Sequence, residues 1–282
     1  MREWLSGRAS PCQGERREFE SRLPLTQGTH TSVCVLFFAK VKRMKKILGL
    51  MRKAIQKYNM ITKGDRILVA VSGGKDSMVM LEGLNLMKKF YPEEFDIGVI
   101  CIDSGFNGGD FGIVKNFCNE KNIDCHIEKT IIKQVVFKEM KETNPCSLCS
   151  RMRRAALCDY AEKNGYNKLS LGHNRDDANE TFIMNLSNNG KLECFEPKTT
   201  YDDRAITIIR PMIFVPEGFI YSACKRNNIP IMKKICPVDG KTKREKTKTI
   251  LDIISKSHPD FKENLFKAIQ NMEIFTSKEK EN

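Results

Sequence analysis

Long hydrophobic runs are missing from this chain. The longest near its start, residues 33–39, has seven residues, against the ~18 that a membrane span requires. A membrane-spanning protein is therefore excluded. A secretion signal is missing as well, and the eleven cysteines are an odd count. A pure disulfide framework is thereby disfavoured, and the expected setting is a reducing, cytoplasmic one in which thiols stay free or bind metal. No internal repeat is present, which sets aside a repeat architecture. What is there is ordinary for a soluble protein: 282 residues, 40% hydrophobic and 29% charged, enough for one large α/β domain or a domain with a small appendage. A net charge of +13 and a pI near 9.2 favour a polyanionic partner, because each Lys or Arg brought to a phosphate releases condensed counterions. A solvated surface is the usual explanation of a charge run, so basicity alone does not decide the matter.

The first 43 residues differ from the rest. They sustain no periodicity, and the stretch 12–23 has neither core nor linker logic. Its Glu18-Phe19-Glu20-Ser21 can be back-translated as GAG-TTC-GAA-TCN, which contains GTTCGAATC, the sequence of a tRNA T-arm gene. Residues 1–43 are accordingly expected to be a non-native or disordered extension, an upstream gene read as protein, with translation beginning at Met44. A targeting peptide is the alternative, and four acidic residues in the segment count against it. Removing the segment takes away eight basic and four acidic residues and leaves a net charge of +9, still strongly basic.

Past residue 43 the pattern becomes regular. Residues 44–58 have the period of an amphipathic helix, with Ile47, Leu48, Met51 and Ile55 on one side and Lys45, Lys46, Arg52, Lys53 and Lys57 elsewhere. Short apolar runs bounded by turn residues read as buried strands at 66–71, 97–102, 125–130 and 168–171, with helical patterns at 76–90, 109–121, 150–164 and 176–186. A strand, a helix and a basic helix follow at 206–213, 216–227 and 242–255. This alternation predicts an α/β fold, a Rossmann-like parallel sheet with helices on both faces. One domain is expected over 44–258, then a C-terminal helix and charged tail over 259–282, disordered in its last residues.

Residues 71–77, Val-Ser-Gly-Gly-Lys-Asp-Ser, sit where a strand hands over to a helix. Glycines let the backbone curl so that successive amides point at one anion, and the positive end of the following helix reinforces them. The Walker pattern needs four residues between its first Gly and the Gly-Lys pair, and this loop has none. Ser72, Gly73, Gly74, Lys75, Asp76 and Ser77 instead resemble the signature of the PP-loop ATP-pyrophosphatases, an adenine nucleotide alpha hydrolase-like family whose members cleave ATP between its α- and β-phosphates and adenylate a substrate. A purely structural glycine turn is the bland alternative. Ligands of open α/β sheets bind outside the carboxyl ends of the strands, so two further strand ends are candidates. Asp103-Ser104-Gly105-Phe106 reads equally as a simple turn. Gly172-His173-Asn174-Arg175-Asp176-Asp177 has two acids at a helix start, which complement the helix dipole in any case. It also resembles the second PP-loop signature, in which an acid beside the pyrophosphate helps to hold Mg²⁺, a cation suited to carboxylate plus phosphate oxygens; within that motif His173 is expected to line the nucleotide pocket.

The cysteines divide into a cluster and a background. Cys146-Ser147-Leu148-Cys149 is placed ahead of the expected helix 150–164, where free amides favour thiolate. Two ligands hold a metal weakly, and Cys236 is the third candidate. A CxxC plus one distant Cys lacks the two-by-two spacing of a zinc ribbon. Three thiolates suit a cubane iron-sulfur cluster with one iron left open, and a disulfide-exchange pair is the other alternative. Cys101, Cys118, Cys125, Cys158, Cys194 and Cys224 read as small buried hydrophobes; Cys12 and Cys34 fall in the extension.

Residues 145–154 (PCSLCSRMRR), 171–177 (LGHNRDD) and Asn189-Gly190-Lys191, taken in order, resemble the tRNA 2-thiocytidine synthetase family, a likeness that covers residues 44 to about 255. The resemblance implies that Cys146, Cys149 and Cys236 hold a [4Fe-4S] cluster, that ATP activates C2 of a cytidine in the tRNA anticodon loop, at position 32, and that sulfur on the open iron replaces oxygen. It implies tRNA as substrate, a cysteine desulfurase or other sulfur donor as partner, and leaves a homodimer open. Catalytic roles fall on Lys75, Asp76, Asp176 and Arg153, with Mg²⁺ on Asp76 and Asp176. Arg153 and Arg154 would steady the adenylate or tRNA phosphates, and Lys241, Lys243, Arg244, Lys246 and Lys248 would contact the tRNA backbone. One departure stands out: Asp239 occupies the place of a second thiol after Cys236 in better-known bacterial members, which leaves thiolation of a uridine as an alternative. An amidating or lysidine-forming PP-loop enzyme leaves the three cysteines unexplained. A non-catalytic redox-sensing nucleotide-binding protein is the reading from another class.

Overall fold

The computed structural model describes residues 30–106, 109–139, 145–233, 236 and 242–272, with backbone alone for 30–38, 138 and 139. Helix α1 (His30–Lys57) begins well before Met44, the start its amphipathic pattern suggested. Between His30 and Leu48 no Gly or Pro interrupts the chain, so nothing local stops the helix from extending backwards. Met44, Ile47, Leu48, Met51 and Ile55 are buried along one side of it, as their spacing requires.

The chain then alternates through β1 (Asp65–Ala70), α2 (Lys75–Met87), β2 (Phe95–Asp103), α3 (Gly112–Asn119) and β3 (Cys125–Lys129). A single helical turn, α4 (Ile132–Gln134), runs into a π-turn, Val135–Glu139, before α5 (Pro145–Lys163), β4 (Lys168–Ser170) and α6 (Arg175–Asn189). Strands β5 (Lys198–Thr200) and β6 (Thr207–Ile209) precede α7 (Glu217–Arg226), α8 (Lys243–Ser257) and α9 (Phe261–Asn271). The six strands form one sheet in the order β3-β2-β1-β4-β6-β5. Every neighbouring pair is parallel except β5 with β6.

Strand β1 lies at the centre, and its apolar run explains why: Ile67, Leu68 and Val69 are fully buried, as a strand covered on both faces must be. The chain runs outward from β1 through β2 to β3 and then returns to place β4 on the other side of β1. The sheet therefore reverses its winding between β1 and β4, the crevice where open α/β sheets bind ligands. Both glycine-bearing motifs emerge there, one after Ala70 and one after Ser170.

The expected strand 206–213 shortens to β6, because the Ile213 amide closes a turn on the Arg210 carbonyl (3.1 Å). The expected helix 109–121 shortens to α3. The charged tail and residues 237–241, Asp239 and Lys241 among them, lie outside the described residues. No described helix is long and apolar enough to cross a membrane.

Candidate active site

The loop between β1 and α2 is shaped by close backbone approach. Gly73 has φ +77°, a left-handed conformation that disfavours any side chain. The Met232 amide donates to the Gly73 carbonyl at 2.9 Å, and a Cβ on Gly73 would stand 2.9 Å from Met232 Cβ. Gly74 caps α2 with no side-chain acceptor, so the first amides of the helix stay available to an anion. Within the loop Ser77 Oγ donates to the Gly74 carbonyl (3.0 Å) and accepts from the Ser72 amide (3.2 Å). Lys75 Nζ contacts Asp76 Oδ2 at 2.9 Å and Glu217 Oε1 at 2.8 Å, and Glu217 Oε2 takes Lys248 Nζ at 2.7 Å. Burial alone would lower the Lys75 pKa, but the bonds to Asp76 and Glu217 raise it above the usual range. Burial alone would raise Glu217, yet hydrogen bonds from Lys248 and Lys75 hold it at about 2.

The second motif is fastened to the first through Asn174. Its Oδ1 accepts from the amides of Asp176 (2.9 Å) and Asp177 (3.1 Å), and its Nδ2 donates to Asp76 Oδ1 at 3.0 Å. Asp177 returns the bond to the Asn174 amide (2.9 Å), completing a capping box at the start of α6. The two adjacent acids thus divide. Asp177 closes the cap and faces Arg244 (3.3 Å), while Asp176 Oδ2 accepts the Glu217 amide at 2.8 Å. Gly172 permits the approach, since a Cβ there would lie 3.2 Å from Ser77 Cα. Asp103 takes the turn role, its carboxylate accepting from the Gly105 amide at 2.9 Å.

Between the motifs opens a pocket of about 380 Å³, lined by Ser72, Asp76 and Ser77 from one side and Gly172, His173 and Asp177 from the other. Helix α5 contributes Ser150, Arg153, Arg154 and Leu157, a stripe at i, i+3, i+4 and i+7 that presents one helical face. Arg153 Nε is buried without a hydrogen-bond partner. Ile100, Ile102 and Leu171 give the pocket an apolar end. Lys75, Asp176, Gly73, Gly74 and Asp103 are not among the lining residues.

Two of the basic residues expected on the tRNA backbone lie at this site. Arg244 lines the pocket and bonds Asp177 and Thr181, and Lys248 extends the Lys75–Glu217 chain. Their spacing of four puts both on the inward face of α8, leaving Lys243 and Lys246 exposed.

The CxxC is not ahead of a helix but inside the first two turns of α5, which begins at Pro145, about one turn earlier than the periodicity suggested. Cys146 and Cys236 are exposed and Cys149 is half-buried. Burial raises the Cys146 thiol, as does the negative field of Cys236. Burial also raises Cys149, opposed by Arg153 and reinforced by Cys236 and Cys146. Burial thus outweighs the helix end at both thiols. All three cysteines lie within each other's fields. Of the background, Cys101, Cys118, Cys158 and Cys224 are buried as expected, whereas Cys125 and Cys194 are half-buried.

Glu217, Asn174, Met232 and Arg210 escaped sequence reasoning. Asn174 had a legible signal, the N-x-x-D of a capping box; the other three are brought in only by tertiary packing.

A glycine loop at the winding reversal, joined to a second acidic motif, defines a PP-loop protein, and the pattern of the PP-loop domain matches residues 44–244. A tRNA-cytidine(32) 2-sulfurtransferase of Geotalea uraniireducens (strain Rf4) is 37% identical over 237 residues, covering 82% of this chain and 92% of that protein. A protein named tRNA-cytidine(32) 2-sulfurtransferase 1 from Francisella tularensis subsp. tularensis (strain WY96-3418) is 37% identical over 236 residues, covering 82% and 87%. The chain belongs to this family of sulfurtransferase enzymes. Its fold is also that of the U34-tRNA thiolase NcsA from Methanococcus maripaludis, solved with a [4Fe-4S] cluster, at a TM-score of 0.67, 24% identity and coverage of 83% and 79%.

Proposed function

We propose that the protein thiolates C2 of cytidine 32 in tRNA at the expense of ATP. The observation that carries this reading is on α5. Cys149 lies one turn before Arg153, and Arg153 lines the pocket that Ser72, Asp76 and Ser77 share with His173. That spacing of one helical turn between a thiol and the pocket supports a reading in which sulfur chemistry and nucleotide meet there.

The loop amides and Lys75 take the pyrophosphate end of ATP, and the apolar end of the pocket takes the nucleoside. Asp76 and Asp176 would be the carboxylates that hold Mg²⁺, which would supply charge neutralisation for the phosphate oxygens. The C2 oxygen of the pyrimidine attacks the α-phosphorus and pyrophosphate leaves, its growing charge met by Lys75 and the amides. Sulfur at the sulfide level then adds at C2, as hydrosulfide from the donor or from a desulfurase-borne persulfide that two electrons from a thiol reductant have reduced, and the oxygen departs within AMP. The unpartnered Arg153 Nε provides a donor for the adenylate.

Among the described residues no three His, Cys, Asp or Glu side chains are close enough to grip a single ion. A cluster takes thiols set further apart, and Cys146, Cys149 and Cys236 with no fourth described thiol beside them fit one whose last iron the protein leaves open. When bound there, the [4Fe-4S] cluster supplies that open iron as the carrier of sulfur.

The test uses anaerobically purified full-length protein. About four iron and four sulfide per chain are expected, falling in Cys236→Ala, with pyrophosphate release that depends on tRNA. Nucleoside analysis should then reveal 2-thiocytidine. Appearance of 2-thiouridine instead would replace the target base, and a protein without iron under strictly anaerobic conditions would remove the cluster mechanism.

A further inference from the structure

His173 lines the pocket with its ring against Phe195, centroids 4.7 Å apart. Behind it lies Arg210, only 3% exposed, just after β6. Its Nε donates to His173 Nδ1 at 3.3 Å, its Nη1 donates to the Glu196 carbonyl and to Thr199 Oγ1 (3.1 Å), and its guanidinium covers the Phe195 ring at 5.1 Å. A guanidinium has no acceptor. The bond therefore exists only if Nδ1 is unprotonated, and the ring proton must sit on Nε2.

The charged groups around the imidazole agree. Burial disfavours the imidazolium first, and the fields of Arg210, Arg244 and Arg154 disfavour it further, so the His173 pKa falls well below its usual value. No ion pair in the described residues joins a carboxylate to His173. Burial likewise lowers Arg210, to about 10, with Arg154 adding to it and Tyr201, Cys194 and Glu196 opposing; it stays a cation at neutral pH.

We propose that Arg210 is a positioning residue that locks His173 as a neutral Nε2–H donor, and that this donor binds an α-phosphoryl oxygen of ATP and of the adenylated tRNA. This rests on the function proposed above. The ligand class follows from the pocket: pyrophosphate belongs to the loop and the nucleoside to the apolar end, so the α-phosphoryl group lies between them, among Arg153, Arg154 and Arg244. A neutral donor stabilises charge there without giving up its proton, so no bond to hydrogen breaks at this step.

The experiment is ¹⁵N NMR of the full chain labelled at histidine, combined with two substitutions that separate the ring nitrogens. In the wild type, His173 Nδ1 is expected in the acceptor range and Nε2 in the N–H range, with no titration between about pH 5.5 and 8. Arg210→Met should give mixed tautomers and raise the His173 pKa without returning it to the ordinary value, since burial, Arg244 and Arg154 remain, while Arg210→Lys keeps a charge and also loses the lock. His173→Gln places an amide N–H near Nε2 and should retain tRNA-dependent pyrophosphate release within about tenfold, whereas His173→Asn places it near Nδ1 and should lose about a hundredfold. An imidazolium or an Nδ1–H tautomer in the wild type overturns the proposal even if no Arg210 variant folds, as do equal losses in Gln and Asn. The NMR arm needs neither tRNA nor sulfur. A locked tautomer in a protein that releases no pyrophosphate with tRNA would therefore sink the functional reading and not the lock.

Discussion

Glu217 shows how one side chain can set the state of a phosphate loop. Its carboxylate contacts Lys75 Nζ at 2.8 Å, where it would compete with phosphate oxygens for the same ammonium. An arriving polyphosphate meets that negative charge before it meets the ammonium. At about 5 Å and an effective dielectric between protein surface and water, a unit charge is worth roughly 1 kcal/mol. Glu217→Gln, which keeps the amide bond to Asp176, is therefore expected to lower the KM for ATP by about fivefold in pyrophosphate-release assays. A KM that rises instead would assign Glu217 to the magnesium shell. Gly73 gives a second expectation at this scale. Alanine at φ +77° costs on the order of 1–2 kcal/mol for the left-handed conformation, and its Cβ also collides with Met232. Gly73→Ala should lower the Tm, and adding Met232→Ala should recover the collision but not the conformational part; full recovery would show that the backbone strain is negligible.

Helices α6 and α8 are held together by Arg244, which reaches Asp177 (3.3 Å), Thr181 (3.1 Å) and Glu180 (3.6 Å). The clamp is short of charge, with one guanidinium facing two carboxylates. Burial raises Glu180 to about 7, with Asp177 pushing the same way and Arg244 opposing. A carboxyl whose folded pKa lies above its unfolded value near 4.5 loses stability as pH rises between the two, because the unfolded chain releases the proton first. Glu180→Gln is thus expected to be neutral near pH 4 and to stabilise increasingly up to pH 7, by as much as ~3 kcal/mol. Thermal melts across that range check the sign, and a gain independent of pH would mean that the carboxylate is not the cause. The legibility of the elements follows the same logic of context. The core strand β1, the loop after it and α2 were readable because burial on both faces forces a continuous apolar run and the loop demands glycine. The three-residue β5 carried no period at all, and the start of α5 was missed because Pro145 and the two cysteines say nothing apolar. Arg244 and Lys248 were read as contacts to the tRNA backbone, since a sequence records that a residue is basic but not that a carboxylate from α6 or α7 will face it. The site's motifs were legible, then, and the groups that hold them in position were not.

At the scale of the whole molecule the surplus of charge has to be divided between the site and the surface. Arg153, Arg154, Arg244, Lys75 and Lys248 face the pocket or its acids, so on the proposed function they serve the nucleotide and other cations are left to meet the tRNA. Lys243 and Lys246, on the outward face of α8, are exposed. They sit on the same helix as the pocket-lining Arg244, so a backbone bound across them lies beside the pocket. Binding of this kind depends on salt through counterion release, with a slope of about 0.7 per phosphate for single strands and 0.9 for duplex. Replacing Lys243 and Lys246 together by alanine is expected to weaken tRNA binding and to reduce the slope of log K against log salt by about 1.4 to 1.8. The same pair should leave tRNA-independent ATP binding unchanged, because neither side chain lines the pocket. An unaltered slope would place the tRNA on another face. A slope that falls together with ATP affinity would mean that α8 had shifted, and Arg244 with it, so the two measurements separate a lost phosphate contact from a displaced helix.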